Sequence, residues 1–169
     1  CTGTTPTFWP CNQGMFGRQG TFAQYAAVDS CWLYPIPAAV ASTDAAALAL
    51  VGITAHLGLF VHGRLRPAEK VFVNGGSGGV GSCVVQMARA VGASVATTAG
   101  SDEKAELCRA LGAELVIDYR REDVDKALRD FGPVDVWFET TREPNLALAV
   151  NHLARRGRLI LMAGREPRP

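Results

Sequence analysis

Between Val71 and Gly81 the chain reads VFVNGGSGGVG, and its glycines fit two chemistries at once. Gly76-Ser77-Gly78-Gly79-Val80-Gly81 is a G-x-G-x-x-G, the turn that lets a backbone approach a pyrophosphate. Gly75-Gly76-Ser77-Gly78-Gly79 is also a G-x-S-x-G, the strained elbow that presents a nucleophilic serine. Both motifs sit between a strand and a helix, so the surrounding elements have to choose between them.

A nucleophile elbow needs strands before it, and an acid and then a histidine at later strand ends. Only His152 lies downstream, inside a predicted helix, where a packing or surface role is the simpler reading. Val71 also opens the first strand of the alternating region, so the elbow would have no sheet before it. The dinucleotide reading asks for an apolar strand, the glycines, a helix and a second strand within roughly thirty residues, and all are present. Gly76 permits the tight turn, Gly78 lets the backbone approach the pyrophosphate, and Gly81 lets helix and strand pack closely. The helix N–H groups and dipole then face the phosphates, with Ser77 beside them as a small hydrogen-bonding residue.

A site that prefers NAD places a carboxylate at the end of its second strand, to hold the ribose 2′-OH. Here that end reads Thr97-Thr98-Ala99-Gly100-Ser101. Asp102 comes next, but with Ser101 as helix cap it is expected to point at solvent. Lys104, and Tyr119-Arg120-Arg121 after the third strand, can supply donors to a 2′-phosphate. Taken alone, Lys104 reads as an ordinary solvated helix lysine; the missing carboxylate is what shifts the expectation to NADPH.

The elements that must position these residues change rhythm near Pro35-Ile36-Pro37. Before it, Gly20 to Val28 alternates as a strand among glycines and prolines. After it, Ser42-Thr43-Asp44 is expected to cap a helix through AAALALV, with a second helix over Thr54 to Val61. Strands are then expected at Val71–Asn74, Ser94–Thr98, ELVIDY, VDVWFET and GRLILMAG. Helices are expected over Gly79–Val91, from the Ser101 cap to Gly112, over Glu122–Phe131, and from Pro144 to about Ala154. Strand and helix in regular alternation imply an α/β fold, a parallel sheet with helices on both faces. Ending soon after the fifth strand, the chain is expected to leave that sheet incomplete at one edge.

With 48% hydrophobic residues, 20% charged residues and a net charge of +1, the chain lacks the strongly basic face of a nucleic-acid binder. The uncharged run from Ala45 to Gly63 is interrupted by Gly52, Thr54, His56 and Gly58, so a buried helix pair is expected rather than a membrane span. Cys1, Cys11, Cys31, Cys83 and Cys108 form no C-x-x-C, which points to a reducing cytoplasm rather than a disulfide framework or a zinc knuckle. Opening on Cys1, the sequence reads as an internal piece of a longer protein.

With these motifs placed, the chain resembles the medium-chain dehydrogenase/reductase superfamily, in its zinc-independent quinone oxidoreductase (zeta-crystallin-like) branch. The resemblance is carried by GTFAQYAAV, GITAHLGLF, VFVNGGSGGVGSCVVQMARAVGA, TTAGSDEKAELCRALGAELVIDYRRED and NLALAVNHLARRGRLILMAGR. It implies a Rossmann, doubly wound NADP-binding domain over residues 41–169, truncated after strand five. Residues 1–40 would be the tail of a β-rich GroES-like catalytic domain. It further implies hydride transfer from NADPH to a small-molecule quinone or enone without zinc, and a homodimer in the full-length protein. Gly76, Ser77, Gly78, Gly79, Val80 and Gly81 would lie at the pyrophosphate, and Gly100, Ser101, Lys104 and Tyr119 around the 2′-phosphate. Asn145 and Met162, Ala163, Gly164 and Arg165 would lie near the remaining ribose and nicotinamide, and Thr54 near the bound cofactor. No proton donor is identified, because the substrate-facing half would precede Cys1. Leu50 stands where zinc-dependent relatives place a metal ligand, and leucine cannot coordinate zinc. Two departures are Gly76 in place of the family's frequent Ala, and Arg155-Arg156-Gly157 in place of Pro-Gly-Gly. An enoyl-thioester reductase on the same fold, or a non-catalytic NADPH-binding protein, would show the same motifs.

Overall fold

Val71, Phe72 and Val73 are all buried, as befits an interior strand covered on both faces. In the computed structural model, which describes residues 24–25 and 30–162, this strand is β1 (Lys70–Asn74). β2 (Ser94–Ala99) and β4 (Val134–Glu139) flank it, β3 (Leu115–Asp118) lies beyond β2, and β5 (Leu153–Leu161) lies beyond β4. The order is β3-β2-β1-β4-β5 and every pairing is parallel. The chain thus builds outward from β1 to β3, then returns to the other side of β1, which makes the β1/β4 boundary a topological switch point.

Alternation along β1 divides the core in two. Val71 and Val73 join Ala55, Leu59, Val84, Val85, Ala88 and Cys108 on one face. These come from α1 (Ser42–His56) and its continuation, α2 (Gly79–Ala90) and α3 (Asp102–Ala110). Phe72 joins Ala96, Ile117, Leu128, Trp137 and Ala149 on the other face, covered by α4 (Val124–Phe131) and α5 (Leu146–His152). The chain divides into two compact units, Cys1–Val40 and Ala41–Pro169, and the sheet belongs to the second. In the first, the described residues include one 3-10 turn, Ser30–Trp32. The strand expected over Gly20–Val28 lies almost wholly outside the described residues.

The expected helix pair is one helix. α1 runs on without a break as a π-helical segment, Leu57–His62. A Cβ at Gly52 would meet nothing nearer than Leu48 Cβ at 4.0 Å, so this glycine gives the chain no steric reason to turn. It costs the helix about 0.5–1 kcal/mol relative to alanine, too little to end it. The start also differs, since the N-cap is Ala41 and Ser42 to Asp44 lie inside the first turn without a side-chain cap. Nor is the helix buried as expected. Leu50, Ile53, Leu57 and Val61 form an exposed apolar row, and the 21 residues are long and apolar enough to cross a membrane by length and composition alone.

At the other end, the helix expected to reach Ala154 stops at His152, and β5 begins at once. Leu153 pairs with Val134 and Arg158 with Val136, so the intervening residues bulge. Arg156 takes a left-handed φ of 67° within that bulge. Pairing of Leu153 with β4, invisible in local sequence, overrides the helical pattern.

Arg158 then ties the sheet's lower edge together. Its Nε donates to the Gly63 carbonyl at 2.6 Å, and its Nη1 and Nη2 donate to the Glu69 carboxylate at 3.1 and 2.6 Å. Glu69 also accepts the Arg66 backbone N–H at 2.9 Å. The connection between helix and β1 needs such anchoring, because Arg64 and Ala68 both adopt positive φ, of 47° and 65°. Burial pushes the Glu69 carboxyl up, but hydrogen bonds from Arg158 and the Arg66 amide, with the Arg158 charge, outweigh it and leave the net pKa lowered. A lowered folded pKa means stability that is full above the unfolded value, about 4.3, and is lost as pH falls through the folded one. Glu69→Gln should therefore cost about 1.5 kcal/mol at neutral pH, with the deficit against wild type shrinking below about pH 4. Urea denaturation of both proteins at the two pH values measures this.

Candidate functional site

The glycine turn leaves β1 at its C-terminal end, and two threonines of β2 hold it. Thr98 Oγ1 accepts the Gly75 N–H at 2.9 Å, and Thr97 Oγ1 accepts the Gly76 N–H at 2.9 Å. The Thr97 hydroxyl in turn donates to the Val73 carbonyl at 2.7 Å. Gly75 has φ of +85°, a conformation that favours glycine. A Cβ on Gly81 would overlap the Gly75 carbonyl and come within 2.9 Å of Gly76 Cα, so α2 can start this close to the strand only with glycine there. The N-cap is Gly78, which has no side chain to occupy the first-turn N–H groups of α2. Those donors are left for a ligand.

Behind the turn sits a buried carboxylate. Glu139, at the end of β4, is 1% exposed. Asn74 Nδ2 donates to its two oxygens at 3.0 and 3.1 Å, Thr141 donates through its backbone N–H at 2.9 Å and its hydroxyl at 2.6 Å, and Trp137 Nε1 donates at 3.3 Å. Asn74 Oδ1 accepts from the Thr98 hydroxyl at 2.8 Å, and the Asn74 carbonyl accepts from Thr140 Oγ1 at 2.5 Å. The ends of β2, β1 and β4 are therefore knotted through side chains. Local sequence offers one signal for this knot, an acid closing the apolar run of β4.

A cavity of about 710 Å³ opens over these strand ends, within the size range of small-molecule sites. Of the sequence-predicted residues, Ser77, Gly78, Gly100, Lys104, Tyr119 and Asn145 line it. Asn145 Oδ1 is committed to capping α5, accepting from Leu148 N at 3.0 Å, which leaves its amide N–H groups for other contacts. A Cβ on Gly100 would strike the Tyr119 ring, 2.8 Å from Cζ, so glycine there is what lets Tyr119 cover this end. Phe72, Val124, Trp137 and Leu148 supply an apolar wall. Sequence reasoning missed Asn74, Thr98, Thr140, Thr141, Arg142 and Glu143, all of which line the cavity. Backbone N–H groups, hydroxyls and cations beside an apolar wall are a donor set that fits the phosphates and ring of a dinucleotide.

Other predicted residues lie outside the lining. Gly76 and Gly81 shape the turn, Gly79 lies beside Val51, and Val80 packs on the first core face. Ser101 caps α3, its Oγ accepting from Lys104 N at 3.3 Å. Thr54 donates its hydroxyl to the Leu50 carbonyl, one turn back in α1. Met162 donates its N–H to the Glu139 carbonyl at 3.2 Å. Ala163, Gly164 and Arg165 lie outside the described residues. Arg121 differs from expectation, since it pairs with Asp102 at 2.8 Å and with Asp118 at 3.4 Å instead of facing the cavity. His152 is 6% exposed, and its Nε2–H donates to Asp125 at 2.8 Å. It precedes β5, at the opposite edge of the sheet from Ser77, so the two cannot form a catalytic pair.

Glu139→Gln tests the knot. An amide replacing one carboxylate oxygen would turn donors toward Asn74 Nδ2 or Trp137 Nε1, leaving buried N–H groups unpaired. The expected loss is about 1–3 kcal/mol of stability, read as a lower urea midpoint. An unchanged midpoint would show that the carboxylate is not the centre of the knot.

Comparison with known proteins agrees with this geometry. Residues 79–168 match the zinc-binding dehydrogenase family. A trans-enoyl reductase of Aspergillus terreus is 35% identical over 138 residues, covering 78% of this chain and 38% of that protein. The quinone oxidoreductase of Mus musculus is 35% identical over 153 residues, covering 88% of this chain and 46% of that protein. The quinone oxidoreductase of Thermus thermophilus, solved alone and with NADPH, superposes with a TM-score of 0.77 at 34% identity, covering 86% of this chain and 47% of that one. The chain thus spans less than half the length of these relatives. It is a parallel-sheet, Rossmann-type member of the zinc-binding dehydrogenase family, within the medium-chain dehydrogenase/reductase superfamily.

Proposed function

We propose that this chain is the NADPH-holding part of an oxidoreductase that delivers hydride to an electron-poor acceptor, a quinone or a double bond conjugated to a carbonyl. The observation that carries the reading is the cavity over the β1/β4 switch point, where uncapped helix N–H groups, a serine and a lysine border one apolar wall. Ser77, Gly78 and the start of α2 hold the diphosphate. Gly100, Ser101, Lys104 and Tyr119 surround the 2′-phosphate, with no carboxylate to favour a bare 2′-OH. Asn145 and Met162, followed by Ala163 to Arg165, lie toward the nicotinamide end, and Thr54 borders the cofactor from α1.

Bound NADPH supplies the hydride, and the protein's part is to fix its orientation and exclude water. Relatives named quinone oxidoreductase and trans-enoyl reductase support a conjugated acceptor, since both names describe a π-system polarised by a carbonyl. On this reading residues 1–40 are the tail of a second, substrate-facing domain, and the full-length protein is a cytoplasmic homodimer. The family's description names zinc, whereas among the described residues no group of three His, Cys, Asp or Glu could hold a metal ion.

Lys104→Ala is the test. A charge-assisted bond to a partly solvated phosphate predicts NADPH binding loosened about tenfold and NADH nearly unchanged, with the NADPH preference weakening as salt is added. Fluorescence titration of both cofactors into wild type and variant reads the outcome. Equal affinity of wild type for NADH and NADPH, or equal loss of both in the variant, would overturn the 2′-phosphate assignment. The chain by itself should consume NADPH with a simple quinone slowly if at all.

A further inference from the structure

Arg142 lines the same cavity as Lys104 but comes from the other side. Lys104 stands in the first turn of α3, after β2, whereas Arg142 follows β4, and β1 runs between those two strands. Two strand spacings, about 10 Å, separate the strand ends from which the residues depart. The glycine turn and the start of α2 rise from β1, midway between them. No ion pair among the described residues engages the side chain of either cation.

One lysine cannot serve both anionic ends of a phosphorylated dinucleotide. A 5′-diphosphate carries about two negative charges, while the N-terminus of α2 offers the equivalent of about half a positive charge and Ser77 none. Lys104 departs from the β2 side of the cavity, the side that Tyr119 covers, which leaves the diphosphate without a full counter-charge from the β4 side. Arg142 is one strand from the turn, and its planar fork can meet two phosphate oxygens at once. Glu143 lines the same rim, so the lining side chains carry two cations against one carboxylate, which moderates the attraction without cancelling it.

We propose that Arg142 is a cofactor-binding residue, the cation that holds the 5′-diphosphate, so that cationic duties are divided between two walls: Lys104 for the 2′-phosphate, Arg142 for the diphosphate. This rests on the dinucleotide reading above. The two residues then have distinct signatures. Arg142→Gln should loosen NADPH and NADH by the same factor, about tenfold, whereas Lys104→Ala loosens NADPH alone. Smaller probes separate the walls without a nicotinamide. Arg142→Gln should weaken ADP about tenfold and leave adenosine 2′-monophosphate unchanged, and Lys104→Ala should do the reverse. Isothermal titration of the four ligands into wild type and both variants, with circular dichroism to confirm folding, reads all of these. Arg142 is exposed, so the variant is expected to fold as wild type does. If Arg142→Gln leaves NADH and ADP unchanged, or weakens only ligands bearing a 2′-phosphate, the assignment is wrong while the NADPH reading survives. If wild type binds none of the four ligands, the dinucleotide reading falls and this one with it.

Discussion

The site depends on one buried carboxyl group. Glu139 is withdrawn from water, and N–H and O–H groups of Asn74, Trp137 and Thr141 converge on its oxygens. A carboxyl group can be withdrawn from water without a large penalty only if its oxygens meet fixed partners, so those donors become as constrained as the group they hold. Asn74 passes the constraint to Thr98, and Thr98 holds the Gly75 amide. The position of the glycine turn therefore depends on the neighbouring strand, at the end of β4.

Close approach is the second constraint, and it works through missing atoms. Gly81 against the Gly75 carbonyl sets how near α2 comes to β1, and Gly58 against the Phe138 ring does the same for the helix above β4. Gly100 leaves room for Tyr119. These contacts bring helix starts, strand ends and one aromatic cover to a single edge of the sheet, where a parallel arrangement already points its strand C-termini. At the opposite edge the Arg158–Glu69 pair and the His152–Asp125 bond tie the elements together instead.

Electrostatics give the cavity its direction. Helix N–H groups at its centre, a cation on each flank and an apolar wall of Phe72, Trp137, Val124 and Leu148 give the cavity one polar and one apolar side. The exposed apolar row on α1, Leu50, Ile53, Leu57 and Val61, lies outside both buried clusters that pack on the sheet.

The amino-acid order by itself determined the alternating elements, the glycine turn and the absence of a carboxylate after β2, because these depend on local period, backbone freedom and residue type. The parallel sheet followed from that alternation. Other features depended on neighbours distant in sequence. Gly52 looked like a helix break because its cost was visible and the packing of Ala55 and Leu59 on the sheet was not. Leu153 looked helical until its pairing with Val134 was seen, and Arg121 looked like a phosphate donor until Asp102 and Asp118 claimed it. Arg142 and Glu143 sat in an undistinguished loop, and only the folding of β4 beside β1 carried them to the cavity. What tertiary structure decided, in each case, was which long-range partner a side chain meets, a quantity that no local pattern of residues contains.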